Sequence, residues 1–228
     1  MTGYRDPRLG RYFQQPEQPG DRRFIGCRAG ALIGSNFLAK RLYSTANVSE
    51  TTPGVWLTAS EMAFCKAEGV LRGWNMGGGT AKDFYEQGVT LSFRQWGAEG
   101  VEAYLQDNMS MEADYVDAVG GFGGNAPRMS LITVKWDEDA SITEKMERLI
   151  IQKWIALYPN GQEAWDEIRR TGYPHIFPVP QPTNGYTLLT PNRIPFDKNE
   201  QINNRSNYDK AVEYLGGPDD YATPMWWQ

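Results

Sequence analysis

The sequence predicts a mainly α fold, and three observations carry that reading. Capping signals open three long runs of apolar residues at helical spacing, glycines close them, and strand evidence is confined to one short segment. The first helix starts at Thr58-Ala59-Ser60-Glu61, a capping box, and Ala63, Ala67, Val70, Leu71 and Trp74 then recur on one face. It stops at Trp74-Asn75-Met76-Gly77-Gly78-Gly79. Thr80, with Asp83 in the third position, caps a second helix whose stripe is Ala81, Phe84, Tyr85, Gly88, Val89, Ser92 and Trp96. These two form an antiparallel helical hairpin.

A third helix opens at Ser141-Ile142-Thr143-Glu144 and lines one face with Ile142, Met146, Leu149, Ile150, Trp154 and Leu157. Pro159-Asn160-Gly161 breaks it, and Asn160 with Glu163 reopens a short helix through Ala164, Trp165 and Ile168. Residues 101–105 add a turn or two. A last helix runs over about residues 208–215 and closes at Gly216-Gly217-Pro218. Residues 130–136 read as one short strand. Pro and Gly punctuate residues 1–54 and 172–195, which are expected to be irregular. In the second helix Ala81, Tyr85 and Gly88 alternate small, large, small, as tetratricopeptide helices do, so that the helices approach closely around the aromatic.

The chain has 228 residues, with 23 Lys and Arg against 28 Asp and Glu, a formal charge of −5. This is ample for a core, and the acidic balance argues against a nucleic-acid partner. Two cysteines cannot build a disulfide framework, and one histidine leaves no His-His metal pair. No run reaches the roughly 18 apolar residues needed to span a bilayer, and residues 1–7 have no signal-peptide character.

Gly77-Gly78-Gly79 lacks the lysine and the preceding strand of a phosphate loop. Asp137-Glu138-Asp139 lacks the EF-hand pattern, with Ser141 and Ile142 at the third-ligand and glycine positions, and it suits a helix N-terminus instead. No metal or cofactor is expected. Glu61, Glu68, Glu144, Glu147, Glu163 and Glu167 offer carboxylates for glycoside hydrolysis, but nothing sets two across a cleft. Cys27, Cys65 and His175 have no catalytic partner motif, and no catalytic residue is expected.

Trp74, Phe84, Tyr85, Trp96, Trp154 and Trp165 fall on helical stripes and are expected in the core. Tyr104, Tyr115, Phe122 and Trp136 instead flank or lie in the glycine-rich segment around Gly120-Gly121-Phe122-Gly123-Gly124-Asn125, with no helical phase. Unphased rings among polar neighbours suit stacking on flat ligand faces, sugars included. The candidate ligand-binding residues are Tyr115, Phe122, Asn125 and Trp136, with Trp74 and Asn75 as outliers.

Several runs together resemble the SusD/RagB family of nutrient-binding outer-membrane lipoproteins. They are residues 67–74, the helix Ala81–Trp96 with Tyr85-Glu86-Gln87-Gly88, Gln152-Lys153-Trp154-Ile155-Ala156-Leu157, and the run from Asn160 through Glu163-Ala164-Trp165 to Arg169-Arg170-Thr171-Gly172-Tyr173-Pro174. Asp6-Pro7-Arg8, Trp136-Asp137-Glu138 and Trp226-Trp227 also suit that family, so the likeness covers residues 4–228. It implies a tetratricopeptide-like helical hairpin scaffold with long irregular loops. It also implies non-catalytic capture of oligosaccharides, or in some members peptides, at the cell surface and delivery to a SusC-type TonB-dependent transporter. An α-helical glycoside hydrolase is the reading from a different class. The resemblance covers the C-terminal half of such proteins. The signal peptide, lipidated cysteine and most tetratricopeptide helices are thus expected upstream of Met1, with membrane contact only through that anchor. Arg169 and Arg170 are expected to pair with nearby carboxylates at a helix C-terminus.

Overall fold

The computed structural model describes residues 1–17, 24–31, 41–117, 120, 124–180 and 191–228. In chain order these form α1 (Leu9–Tyr12), β1 (Phe13–Gln14), β2 (Thr45–Ala46), α2 (Ala59–Leu71) and α3 (Ala81–Trp96). Then follow α4 (Val101–Leu105), α5 (Ile142–Ala156), α6 (Gly161–Thr171), α7 (Lys198–Asn203) and α8 (Arg205–Leu215). The fold is mainly helical. The expected irregular start contains one helical turn and a two-residue antiparallel ribbon, Phe13 opposite Ala46 and Gln14 opposite Thr45.

The hairpin α2–α3 forms where the caps and stripes place it. Thr58 Oγ1 accepts from the Glu61 N–H at 3.0 Å. At α3 both arms of the box close: Thr80 Oγ1 accepts from Asp83 N–H at 3.1 Å, and Asp83 Oδ2 accepts from Thr80 N–H at 2.8 Å. Gly97, at φ 59, ends α3 in the left-handed conformation that glycine adopts without steric cost. Between the helices the small–large–small seam works by subtraction. A Cβ on Gly88 would sit 2.8 Å from the Phe64 ring, so only glycine admits that ring at this depth. Ser60 Oγ, fully buried, donates to the Gly88 carbonyl at 2.7 Å. Tyr85, equally buried, donates its hydroxyl to the Val134 carbonyl at 2.6 Å.

Helix α5 opens with the expected capping box, Ser141 with Glu144. Its buried face differs from the expected stripe. Ile142 is 56% exposed in the first turn, and Trp154 also reaches solvent. From Arg148 to Leu157 the helix is instead buried on nearly every side, Trp154 excepted, because it packs against both α2 and α3. Trp74 is likewise exposed, since the chain leaves α2 at Gly73 with φ 77 and carries the indole off the stripe.

Residues 130–136 are not a strand. Their backbone is satisfied by side chains from several elements, not by a ladder. The Ile132, Thr133 and Val134 carbonyls accept from Tyr4 OH at 3.1 Å, Arg148 Nε at 3.0 Å and Tyr85 OH, while Lys135 N–H donates to the Asp107 carbonyl at 2.9 Å.

Two ion-pair lattices lock the helices. Arg8 and Asp6 are fully buried and meet at 2.7 Å. Arg8 also donates to Ser92 Oγ and Gln152 Oε1, both at 2.9 Å, and lies over the Phe93 ring at 4.8 Å. Burial alone would lower the Arg8 pKa, but the hydrogen bond to Asp6 and the electrostatic attraction of Tyr104, Asp6 and Tyr12 together outweigh it, and the guanidinium stays charged. At the other end Arg170 grips Glu68 through both oxygens, at 2.6 and 2.7 Å, and Glu167 at 2.8 Å. Arg169 pairs with Asp166 at 2.8 Å and lies between Trp165 at 4.1 Å and Trp227 at 4.6 Å, pinning the C-terminal residues to α6. The last helix begins earlier than expected, at Arg205, after a short α7 that the sequence reading missed. Neither α7 nor α8 has a buried residue, so no apolar stripe marked their bounds.

Candidate functional site

The aromatic and glycine-rich loop folds on polar bonds from its own side chains. Tyr115 and Ala126 exchange backbone hydrogen bonds at 2.8 and 3.0 Å, which closes the loop at its base. Inside it, Asp117 N–H donates to Asn125 Oδ1 at 2.9 Å. Asp117 in turn accepts from Gly120 N–H at 3.1 Å and Gly124 N–H at 3.3 Å. Gly120 and Gly124 have φ 79 and 62, values that a side chain would strain. The carboxylate therefore organises the loop.

Two other segments support this loop. The Tyr115 hydroxyl donates to the Gly26 carbonyl at 3.2 Å, and its ring meets Phe177 at 5.7 Å. Arg28 ties all three segments together, donating from Nε to the Pro178 carbonyl at 2.6 Å and from Nη1 to the Gly124 carbonyl at 3.4 Å. Tyr43 is buried beneath, its phenol pushed up to about 12 by burial and then by Asp117, Cys27 and Tyr115, so it stays a neutral hydroxyl. Burial, and then the Asp117 charge, also push the Cys27 thiol up. That thiol donates to the Arg28 carbonyl at 3.7 Å, an arrangement without nucleophilic character. Outside the loop Asp114 braces Arg128 at 3.0 Å.

The expected residues thus divide. Tyr115 and Asn125 come together, the first half-buried with one ring face against Phe177, the second exposed. Phe122 and residues 181–190 lie outside the described residues. Trp136 is a correction: it is 5% exposed and packs at 5.1 Å on Tyr85, so it belongs to the core. Tyr104 is core as well, bonded to Asp6 and Gln152. Trp74 and Asn75 stay at the α2–α3 turn, where Asn75 Oδ1 accepts from Gly77 N–H at 3.1 Å. Sequence reasoning missed Arg28, Tyr43 and Phe177. The signal for Phe177 was available, since it sits between Pro174 and Pro178 in a second unphased segment.

A separate cleft of about 180 Å³ is lined by Tyr12, Phe13, Trp154, Ile155, Tyr158 and Pro159 among others. Tyr12 and Tyr158 stack at 4.5 Å beside it. Its lining is almost wholly apolar, which offers little to the hydroxyls of a sugar. Among the described residues no group of three or more His, Cys, Asp or Glu is placed to hold a metal ion. No helix among them is long and apolar enough to cross a membrane.

The SusD-like family, described as Susd and RagB outer membrane lipoprotein, matches residues 1–228. The chain belongs to the SusD-like family. A SusD homolog from Bacteroides uniformis ATCC 8492 is 44% identical, with TM-score 0.92 over 100% of this chain and 47% of its own. A SusD-like protein from Bacteroides thetaiotaomicron VPI-5482 is 40% identical at TM-score 0.92, over 100% and 48%. A chitin-binding SusD homolog from Flavobacterium johnsoniae is 39% identical at TM-score 0.88, over 100% and 47%. The chain thus spans about half the length of these solved SusD-like proteins. No curated protein matches it. The likeness bears out the mainly helical, tetratricopeptide-like scaffold that the resemblance implied.

Proposed function

We propose that this protein is a non-catalytic binding protein that captures oligosaccharides at the cell surface and passes them to a SusC-type TonB-dependent transporter. The observation that supports binding is the three-segment loop cluster, which holds the Tyr115 and Phe177 rings at the surface among amides and carbonyls. Rings give a sugar a flat apolar face, and the adjoining Asn125 and loop amides suit its hydroxyls. The chitin-binding relative supports a glycan as the ligand class. The family description supports an address at the outer membrane.

The carboxylates support the absence of catalysis. A glycosidase acid has a raised pKa and faces a second carboxylate across the scissile bond. Asp117 spends its oxygens on the loop, and Arg128 holds the Asp114 carboxyl below the usual range. Burial would raise Glu68, but the bonds and charges of Arg170 and Arg72 outweigh it and hold it low, and hydrogen bonds from Ser141 lower Glu144. Burial pushes Glu61 up, but it stands in the first turn of α2, near Glu163 and Glu167 and away from the loop.

Affinity from stacking and a few hydrogen bonds falls in the micromolar to millimolar range, about −8 to −4 kcal/mol. Titration calorimetry with chito-oligosaccharides, other plant and microbial glycans and a peptide mixture tests the ligand class. Saturable heats with a glycan and an intact product afterwards are expected. Heats with peptides alone, or cleavage of the sugar, would overturn the reading. Delivery is tested by growth on that glycan after deleting this gene and the gene of a SusC-type transporter separately, with loss of growth expected from both.

A further inference from the structure

One contact between α2 and α5 serves neither the binding loops nor a necessary ion pair. The Lys153 ammonium, with its side chain 5% exposed, donates to Glu167 Oε1 at 2.6 Å and also to Cys65 Sγ at 3.6 Å. Cys65 is half-buried, so its sulfur faces the lysine nitrogen while keeping an edge toward solvent. Each atom is carried by a rigid helix, 88 residues apart in the chain, and the Glu167 contact stops the lysine from swinging away. Thiol and amine are thus held at contact distance. Cys27 has no such neighbour described, and its thiol donates to a carbonyl.

We propose that Cys65 and Lys153 are a modification site, joined under dioxygen by an oxygen-bridged N–O–S link between α2 and α5. Lys153 enters the step as its amine, the ammonium proton having gone to solvent. Cys–SH, Lys–NH2 and O2 then give Cys–S–O–NH–Lys and one water. The S–H bond, one N–H bond and the O=O bond break; one S–O, one N–O and two O–H bonds form. Sulfur gives up two electrons and nitrogen two, and dioxygen accepts all four. One oxygen atom stays in the bridge and the other leaves as water. Four thiol equivalents reverse the step, forming two disulfides, one water, the free thiol and the free amine. The present separation favours an inserted atom, because a direct S–N bond would draw the two helices together much further.

The test uses the full chain carrying Cys27→Ser, so that Cys65 is its sole thiol. After incubation with dissolved oxygen, the intact mass is expected to rise by about 14 Da, the balance of one oxygen gained and two hydrogens lost. Proteolysis should yield a linked pair of peptides containing Cys65 and Lys153. Excess dithiothreitol should restore the starting mass and lower the melting temperature of the oxidised protein. Adding Cys65→Ser or Lys153→Arg should each abolish the gain. The arginine keeps a cation for Glu167, and circular dichroism of that variant separates loss of the bridge from loss of fold. Successive gains of about 16 Da on Cys65 alone, a loss of about 2 Da, an unchanged mass, or a gain that survives Lys153→Arg would each overturn the proposal.

Discussion

The α2–α3–α5 core and the loop cluster around Tyr115 are held together by opposite means. In the core, Phe64, Tyr85, Val89 and Leu149 lose all contact with solvent, and polar groups drawn in with them such as Ser60 and Arg8 have dedicated partners. In the loops almost nothing apolar is fully buried. Shape comes from Asp117, Asn125 and Arg28 bonding to backbone, with glycines allowing the turns. Burial gives a scaffold that resists change. Side-chain bonds to backbone give a surface that adapts to a ligand without disturbing what lies beneath.

Substitutions in the core should therefore cost stability and leave affinity intact in the folded fraction. The largest effect is expected from Arg8→Met, which strands the Asp6 charge in the interior and should cost about 3–5 kcal/mol in denaturant unfolding. A cost below about 1 kcal/mol would mean that Asp6 is not buried as described. Gly88→Ala places a methyl against the Phe64 ring and should cost about 1–3 kcal/mol, with Phe64→Leu restoring part of it.

The loops should respond the other way. Gly124→Ala forces a side chain into φ 62, a local strain of about 1–2 kcal/mol. The exposed loop should absorb it by rearranging, so ligand affinity falls while the melting temperature hardly moves. A melting temperature that falls with affinity would make the loop part of the scaffold.

Acid sharpens the contrast further. Burial would raise Glu68, but its bonds to Arg170 and Arg72 outweigh that and hold its carboxyl below the usual glutamate range. A depressed native value gives stability that is complete above the unfolded pKa of about 4.3 and lost as pH falls through the native one. Unfolding free energy should thus decline below about pH 4.3, and Glu68→Gln should flatten that limb. An unchanged slope would show that the Arg170 contact does not discriminate between charge states.

The scaffold was readable because its rules are local. Thr80 with Asp83 and Ser141 with Glu144 announce their helices within four residues, and the Ala81–Tyr85–Gly88 spacing announces close packing. Long-range satisfaction was not readable. Residues 130–136 are rich in β-branched and apolar types, yet Tyr4, Tyr85 and Arg148 take the carbonyls that a strand would have offered a neighbour. Ile142 has helical phase but stays exposed in the first turn of α5, and phase cannot report which turns meet a partner. In the loop cluster, the lack of helical phase picked out Tyr115 and Asn125, which the fold brings together. It misplaced Trp136, because an irregular segment can bury an aromatic as fully as a helix can. Arg28 and Phe177 reach the site from sequence positions 87 residues before and 62 after Tyr115, separations that no local pattern encodes.

The central claim is that the loop cluster, and neither the core nor the apolar cleft, grips the ligand. Calorimetric titration of one bound oligosaccharide into wild type, Tyr115→Ala and Phe13→Ala tests it most directly. Tyr115→Ala should weaken binding about tenfold, near 1.4 kcal/mol, at an unchanged melting temperature, and Phe13→Ala should bind as wild type does. Full affinity in Tyr115→Ala together with lost affinity in Phe13→Ala would contradict it.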